Sequence, residues 1–232
     1  MLLTVPELAR MVDFSAVRTD VDLAEVHELA AQSRKYNCIC AFVLPCYVRP
    51  LADLMAGAPE VGAGGVVGFP SGGNTTDIKA AEARGLLDDG ADELDMVINV
   101  GLLRSGKDTA VADDVRAVVD AAAGAPVKVI LEAHYLTDDQ IRRGADLSVQ
   151  SGASFIKTGT GWAQTGATAH NVSLIKSVVG DSAGIKAAGG VRDLATVVEL
   201  YRCGARRFGI SLASGVRIFQ ACAALPGGAV EI

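Results

Sequence analysis

Apolar and polar positions along these 232 residues follow two alternating regimes. Short, nearly continuous apolar runs at residues 11–15, 38–44, 64–69, 93–99, 127–132, 154–157, 184–186 and 207–210 read as strands buried on both faces. Each is followed by a stretch with helical spacing, at 22–36, 47–56, 75–88, 109–123, 137–150, 170–179, 194–202 and 215–224. Ahead of the first run, Thr4, Pro6 and Glu7 have the spacing of a capped helix start, which predicts a short N-terminal helix. Eight strand-helix units in fewer than 250 residues predict an α/β fold, a (β/α)8 TIM barrel filling one domain over residues 1–232. The alternative is a doubly wound open sheet, whose dinucleotide-binding form is disfavoured because no G-x-G-x-x-G follows the first strand. Residues 226–232 read as a loose tail.

This frame turns strand positions into roles, since side chains at the C-terminal ends of barrel strands point into the mouth, where active sites lie. Lys157 ends the sixth strand, and small or hydroxylated residues follow it directly. Taken alone it reads as a rim lysine, its stem packed and its head in water. A second lysine, Lys186, ends the neighbouring seventh strand, and this reverses the reading. Two ammonium groups held close disfavour each other's charge, which leaves one neutral enough to attack a carbonyl and form a Schiff base. Asp95 lies in an apolar run on the same strand face as Glu93 and Val97; facing inward, it can pair with Lys186 and relay protons through water. A purely structural buried ion pair is the other reading of Asp95. Lys128 begins its strand, so its expected role lies outside the mouth, toward the floor. Glu132 ends that strand, either orienting a lysine or sitting on the solvated rim. Gly189, Gly190 and Arg192 open the helix after strand seven, with Ser211 after strand eight, and together they suggest an anion site.

Composition narrows the class. Half the residues are hydrophobic, so a large core can form, and the net charge of −6 argues against a nucleic-acid partner. No run suits a membrane span and no leader pattern opens the chain, which points to the cytoplasm. Cys38, Cys40, Cys46, Cys203 and Cys222 are odd in number without C-x-x-C pairing, and are expected as buried reduced thiols. His27, His134 and His170 are scattered, and nothing in the sequence asks for a metal or other cofactor.

The blocks Val67-Gly68-Phe69-Pro70 with Asn74-Thr75-Thr76 and Lys79, Asp92 to Asn99, Lys128 to Glu132, Phe155-Ile156-Lys157-Thr158 and Ile185 to Arg192 together resemble the deoxyribose-phosphate aldolase family, nearly end to end. The resemblance implies a metal-free class I aldolase that reversibly cleaves 2-deoxy-D-ribose 5-phosphate to glyceraldehyde 3-phosphate and acetaldehyde in deoxyribonucleotide catabolism. It implies Lys157 as Schiff-base lysine, Lys186 as the lysine that lowers its pKa, and Asp95 in the proton relay. Asp13, Thr158 and Thr160 would hold sugar hydroxyls, and Gly189, Gly190, Arg192 and Ser211 the phosphate. A homo-oligomer, dimer or larger, is implied as well.

Phe42, Ala133, Gly159, Trp162 and Leu212 depart from the family's usual residues around the expected pocket. They widen its apolar surface and remove phosphate donors. Two further readings therefore stand beside the first: a Schiff-base aldolase for another, unphosphorylated or specialised aldehyde, and a barrel that binds a sugar phosphate without turning it over.

Overall fold

The computed structural model describes residues 1–232. It begins with β1 (Leu2–Thr4) and α1 (Val5–Ala9), followed by β2 (Val12–Ala16), α2 (Leu23–Tyr36), β3 (Cys40–Val43), α3 (Val48–Met55), β4 (Gly62–Val67) and α4 (Thr76–Asp88). Next come β5 (Glu93–Val97), α5 (Val100–Arg104), α6 (Asp108–Ala121), β6 (Val127–Ile130), α7 (Asp138–Gln150), β7 (Phe155–Lys157) and α8 (Ala169–Val179). The chain ends with β8 (Gly184–Ala188), α9 (Leu194–Arg202), β9 (Arg207–Ser211), α10 (Leu212–Ala223) and β10 (Ala229–Glu231). Strands β2 to β9 close in chain order into one parallel barrel, the expected TIM barrel.

Local chemistry starts and stops these elements. The Glu7 carboxylate accepts from the backbone N–H and the hydroxyl of Thr4, as the spacing predicts. Asp22 caps α2, and Asn37 ends it in the left-handed conformation at φ 54°. Thr137 and Gln140 close a reciprocal capping box on α7. The tail expectation needs correction: Leu2, Leu3 and Thr4 pair antiparallel with Glu231, Val230 and Ala229, so the two ends clasp each other. Cys38, Cys40 and Cys222 are buried as expected; Cys46 is exposed and Cys203 half-buried.

The main apolar core is the layer between sheet and helices, where Phe14, Leu94, Met96, Val129, Ile156 and Phe208 are inaccessible to solvent. Inside the barrel the filling is different. Phe42 crosses into room left by Gly64, where an added Cβ would meet its ring at 2.5 Å, and buried charged side chains stand among the other inward positions.

A buried ion pair sits outside the sheet. Lys79 on α4 donates to Asp114 on α6 at 2.6 Å and to the Val97 carbonyl at 3.0 Å, and Thr76 donates to the other Asp114 oxygen at 3.0 Å. Neither charge reaches water, so the pair ties α4 and α6 to the end of β5. Asp114→Ala is expected to cost about 3–5 kcal/mol in urea unfolding, because it strands the Lys79 ammonium. Lys79→Met/Asp114→Leu should recover most of that loss; a double variant as unstable as the single would contradict the stranded-charge explanation.

Candidate active site

Barrel register brings the inward side chains level. Asp95 stands opposite Lys128, Lys157 opposite Lys186, and Lys186 opposite Arg207. Asp13 faces inward from β2, beside Gly209 of β9. Five of these groups, together with Glu93 of β5, form a closed circuit of alternating charge. Arg207 pairs with Asp13, Asp13 with Lys186, and Lys186 with Asp95, each at 2.6 Å. Asp95 lies 3.5 Å from Lys128, which pairs with Glu93 at 2.6 Å, and Glu93 returns to Arg207 at 2.6 Å. Three acids and three bases cancel.

Lys157 is the seventh charged group. It hangs on Asp95 at 2.7 Å, on the carboxylate oxygen that Lys186 already occupies. Its charge has no acid of its own. Burial pushes its pKa down to about 8; Asp95 opposes this, and the Lys186 ammonium adds to it. Burial works against a charged Asp95 too, but the ammonium groups of Lys157, Lys186 and Lys128 hold its carboxyl well below the usual range. The face of Phe42 lies 3.8 Å from the Lys186 ammonium and 4.8 Å from that of Lys128, an aromatic floor against both cations.

Above the circuit opens a cleft of about 320 Å³ that reaches both lysines. Gly189, Gly190, Arg192 and Ser211 form one wall, in the same cleft as Lys157, as the sequence suggests. Gly189 and Gly190 hold φ values of 87° and 95°, where a side chain would be strained, and this turn brings backbone to the cleft. Ser211 precedes α10 without capping it, so the N–H groups of that helix's first turn stay unsatisfied by a side chain beside the cleft. Ser211 instead donates to Ser214, which also accepts from Arg217. Such a wall attracts an anion. Trp162 stands opposite, its indole N–H donating to the Val17 carbonyl at 3.0 Å and its ring edge-on to Phe69.

Several expectations change. Asp13 is fully buried with both oxygens in ion pairs, so it belongs to the circuit and is not free to hold a sugar hydroxyl. Thr158 clips β7 to β8 by donating to the Ala188 carbonyl and accepting from the Ala188 N–H. Its phase along the strand, opposite to that of Lys157, already turns it from the interior. Thr160 does line the cleft, but its hydroxyl donates to Glu132 and accepts from the Trp162 N–H. Glu132 therefore orients the loop after β7 and touches no lysine. Gly159 leaves room for that carboxylate, which an added Cβ would approach to 3.0 Å. Lys128 joins the circuit from the neighbouring strand, level with Asp95. Arg207 carried no role in the sequence reading, and only its shared phase with Gly209 and Ser211 signals that it faces inward.

Known proteins resemble the chain in sequence and in fold. Residues 7–221 match the family model described as DeoC/LacD family aldolase. The chain is 50% identical over 210 residues to a deoxyribose-phosphate aldolase of Klebsiella pneumoniae subsp. pneumoniae, covering 90% of this chain and 84% of that one. It is 45% identical over 226 residues to the Sinorhizobium medicae protein of the same name, covering 97% and 91%. Among solved structures, the deoxyribose phosphate aldolase of Aeropyrum pernix, described as a unique tetramer, superposes with a TM-score of 0.88 at 30% identity, covering 96% of this chain and 94% of that one.

Proposed function

We propose, from the premise that the chain belongs to the DeoC/LacD family of aldolases, that it is a class I aldolase cleaving 2-deoxy-D-ribose 5-phosphate to glyceraldehyde 3-phosphate and acetaldehyde, reversibly. The observation that carries this reading is the surplus lysine on a neutral buried circuit, at the foot of a cleft with an anion-attracting wall. With a pKa of about 8, roughly one Lys157 in ten is neutral at pH 7, against roughly one in 3,000 for a lysine at its ordinary value. The neutral amine adds to the C1 aldehyde, and the carbinolamine loses water to give an iminium. The C2–C3 bond then breaks as the C3 hydroxyl gives up its proton, the electron pair passing to the iminium nitrogen as an enamine. Protonation at C2 and hydrolysis release acetaldehyde and restore Lys157. Asp95 and Lys186 would carry these protons with a water molecule.

Gly189, Gly190, Arg192 and Ser211 would seat the phosphate, and Thr160 would border the sugar. The reading includes action as a homo-oligomer, as the Aeropyrum pernix protein's description favours, and a location in the cytoplasm, consistent with the lack of any helix long and apolar enough to cross a membrane. Trp162 favours one variation: the indole, backed by Phe69, adds apolar surface to the cleft beside Val17 and Val66, which suits unphosphorylated aldehydes as additional substrates.

Borohydride reduction in the presence of acetaldehyde tests the chemistry. One trapped ethyl group on Lys157 is expected by mass spectrometry of the intact and digested protein, and the absence of any adduct with a panel of aldehydes would refute the aldolase reading. Arg192→Ala is expected to raise KM for deoxyribose 5-phosphate about tenfold and leave deoxyribose unaffected. Equal effects on both sugars would remove Arg192 from the phosphate site.

A further inference from the structure

The mechanism above uses the upper part of the charged circuit and leaves Glu93, Lys128 and Arg207 without a part. All three are buried or nearly so, none lines the cleft, and they are joined into one chain of short contacts. A purely structural cluster needs only pairwise compensation, whereas here every member has two partners and the chain closes through Asp13 and Asp95.

We propose that Glu93, Lys128 and Arg207 are positioning residues that fix the charge of Lys157 without touching it, by holding the six-membered circuit neutral so that the seventh charge stays uncompensated. The proposal rests on the Schiff-base reading for its purpose, though not for its test. Each base group acts through a neighbour. Lys128 draws on Asp95 from the side away from Lys157, while Glu93 draws Lys128 toward itself and so frees Asp95. Arg207 divides its guanidinium between Glu93 and Asp13, and Asp13 in turn holds Lys186 in place against Asp95.

No other charge competes at this level. Around Lys157, β5 supplies Asp95 and Glu93, β6 Lys128, β8 Lys186, β9 Arg207 and β2 Asp13. The strands β3 and β4 present Cys40, Phe42 and Val66, of which only the Cys40 thiol ionises, and burial pushes it far up. Glu132, beyond the end of β6, is bound to Thr160. Burial first, then Asp95, Asp13 and Glu93, act on Lys128, with the carboxylates outweighing burial so that its pKa rises and it stays charged. Arg207 is likewise held charged. Lys128 and Arg207 thus stay charged while Lys157 titrates, and substitution is the way to change the charge at the base of the circuit.

The test is an NMR titration of the Lys157 ε-carbon in the folded protein without substrate, assigned with Lys157→Met. It succeeds or fails independently of whether Lys157 forms an imine. Glu93→Gln leaves the circuit at +1 and is expected to lower the Lys157 midpoint by about one pH unit; Lys128→Met leaves it at −1 and is expected to raise it by about as much. Glu93→Gln/Lys128→Met restores neutrality and should return the midpoint to near the parent value. The acid limb of kcat/KM should move in the same directions. If Lys128→Met does not fold, Arg207→Gln removes a cation at the other end and is expected to shift the midpoint upward too. Shifts of the same sign in folded Glu93→Gln and in either cation variant, or no shift in either, would overturn the proposal, because loosened packing has no reason to follow the sign of the charge removed.

Discussion

Lys157→Met is expected to lose at least about 10⁴-fold in cleavage rate, since Lys186, the other amine in the cleft, is clamped between Asp13 and Asp95, and yet to melt no lower than the parent at pH 7. The second half of this expectation follows from the charge count. Removing the surplus cation leaves a neutral circuit and deletes a charge whose burial is unfavourable. The pH dependence fixes the sign. Lys157 titrates near 8 in the fold and near 10.5 when unfolded, so below pH 8 both states hold the proton and the unfavourable burial is fully present. Between those values the unfolded chain binds a proton that the folded chain has released, and stability rises with pH. Denaturant unfolding of the parent at pH 7 and pH 10 should show that rise, and Lys157→Met should lack this contribution. An inactive variant that was also markedly less stable at pH 7 would mean that Lys157 is a structural member of the network.

Asp95→Asn should have the opposite profile in stability and a similar one in activity. Its carboxylate is the shared counter-ion of Lys157, Lys186 and Lys128, and the amide leaves an excess of positive charge in a closed barrel. A loss of about 3–5 kcal/mol is expected in denaturant unfolding. The rate should drop by 10²–10⁴-fold, roughly the share of a general acid-base group. Single-turnover measurements, made well below the denaturation midpoint, separate the two effects. Retention of cleavage within tenfold of the parent would take Asp95 out of the proton relay. Two residues 2.7 Å apart, each needed for activity, are thus expected to differ in the sign of their effect on stability.

The barrel was legible because the strand faces that pack against the helices are apolar, and eight short runs rich in apolar residues punctuate the sequence. The clasp of β1 and β10 was not, because three-residue strands carry too little pattern and their pairing spans nearly the whole chain. The lysines announced themselves by interrupting apolar strand ends. Arg207 and Lys128 were hidden by treating every strand start as floor. In a closed barrel the strands are staggered, so the start of β9 stands level with Lys186 near the middle of β8, and Lys128 level with Asp95. Position along one strand does not give height in the barrel until the register is known. Hydroxyl roles were the least legible, because the use of a Thr oxygen depends on which backbone groups come near. Thr158 spends its hydroxyl on Ala188 for that reason.

The order of the ionic residues along the chain bears on how the barrel comes together. Asp13, Glu93 and Asp95 all belong to strands β2 and β5, while Lys128, Lys157, Lys186 and Arg207 lie on β6 to β9. A first half-barrel is therefore acidic on its inner surface and a second one basic. Neither can neutralise itself, and two copies of the same half repel across their concave faces. Only the pairing of unlike halves satisfies both, so interior charge helps select correct closure from among the arrangements that apolar packing alone would accept.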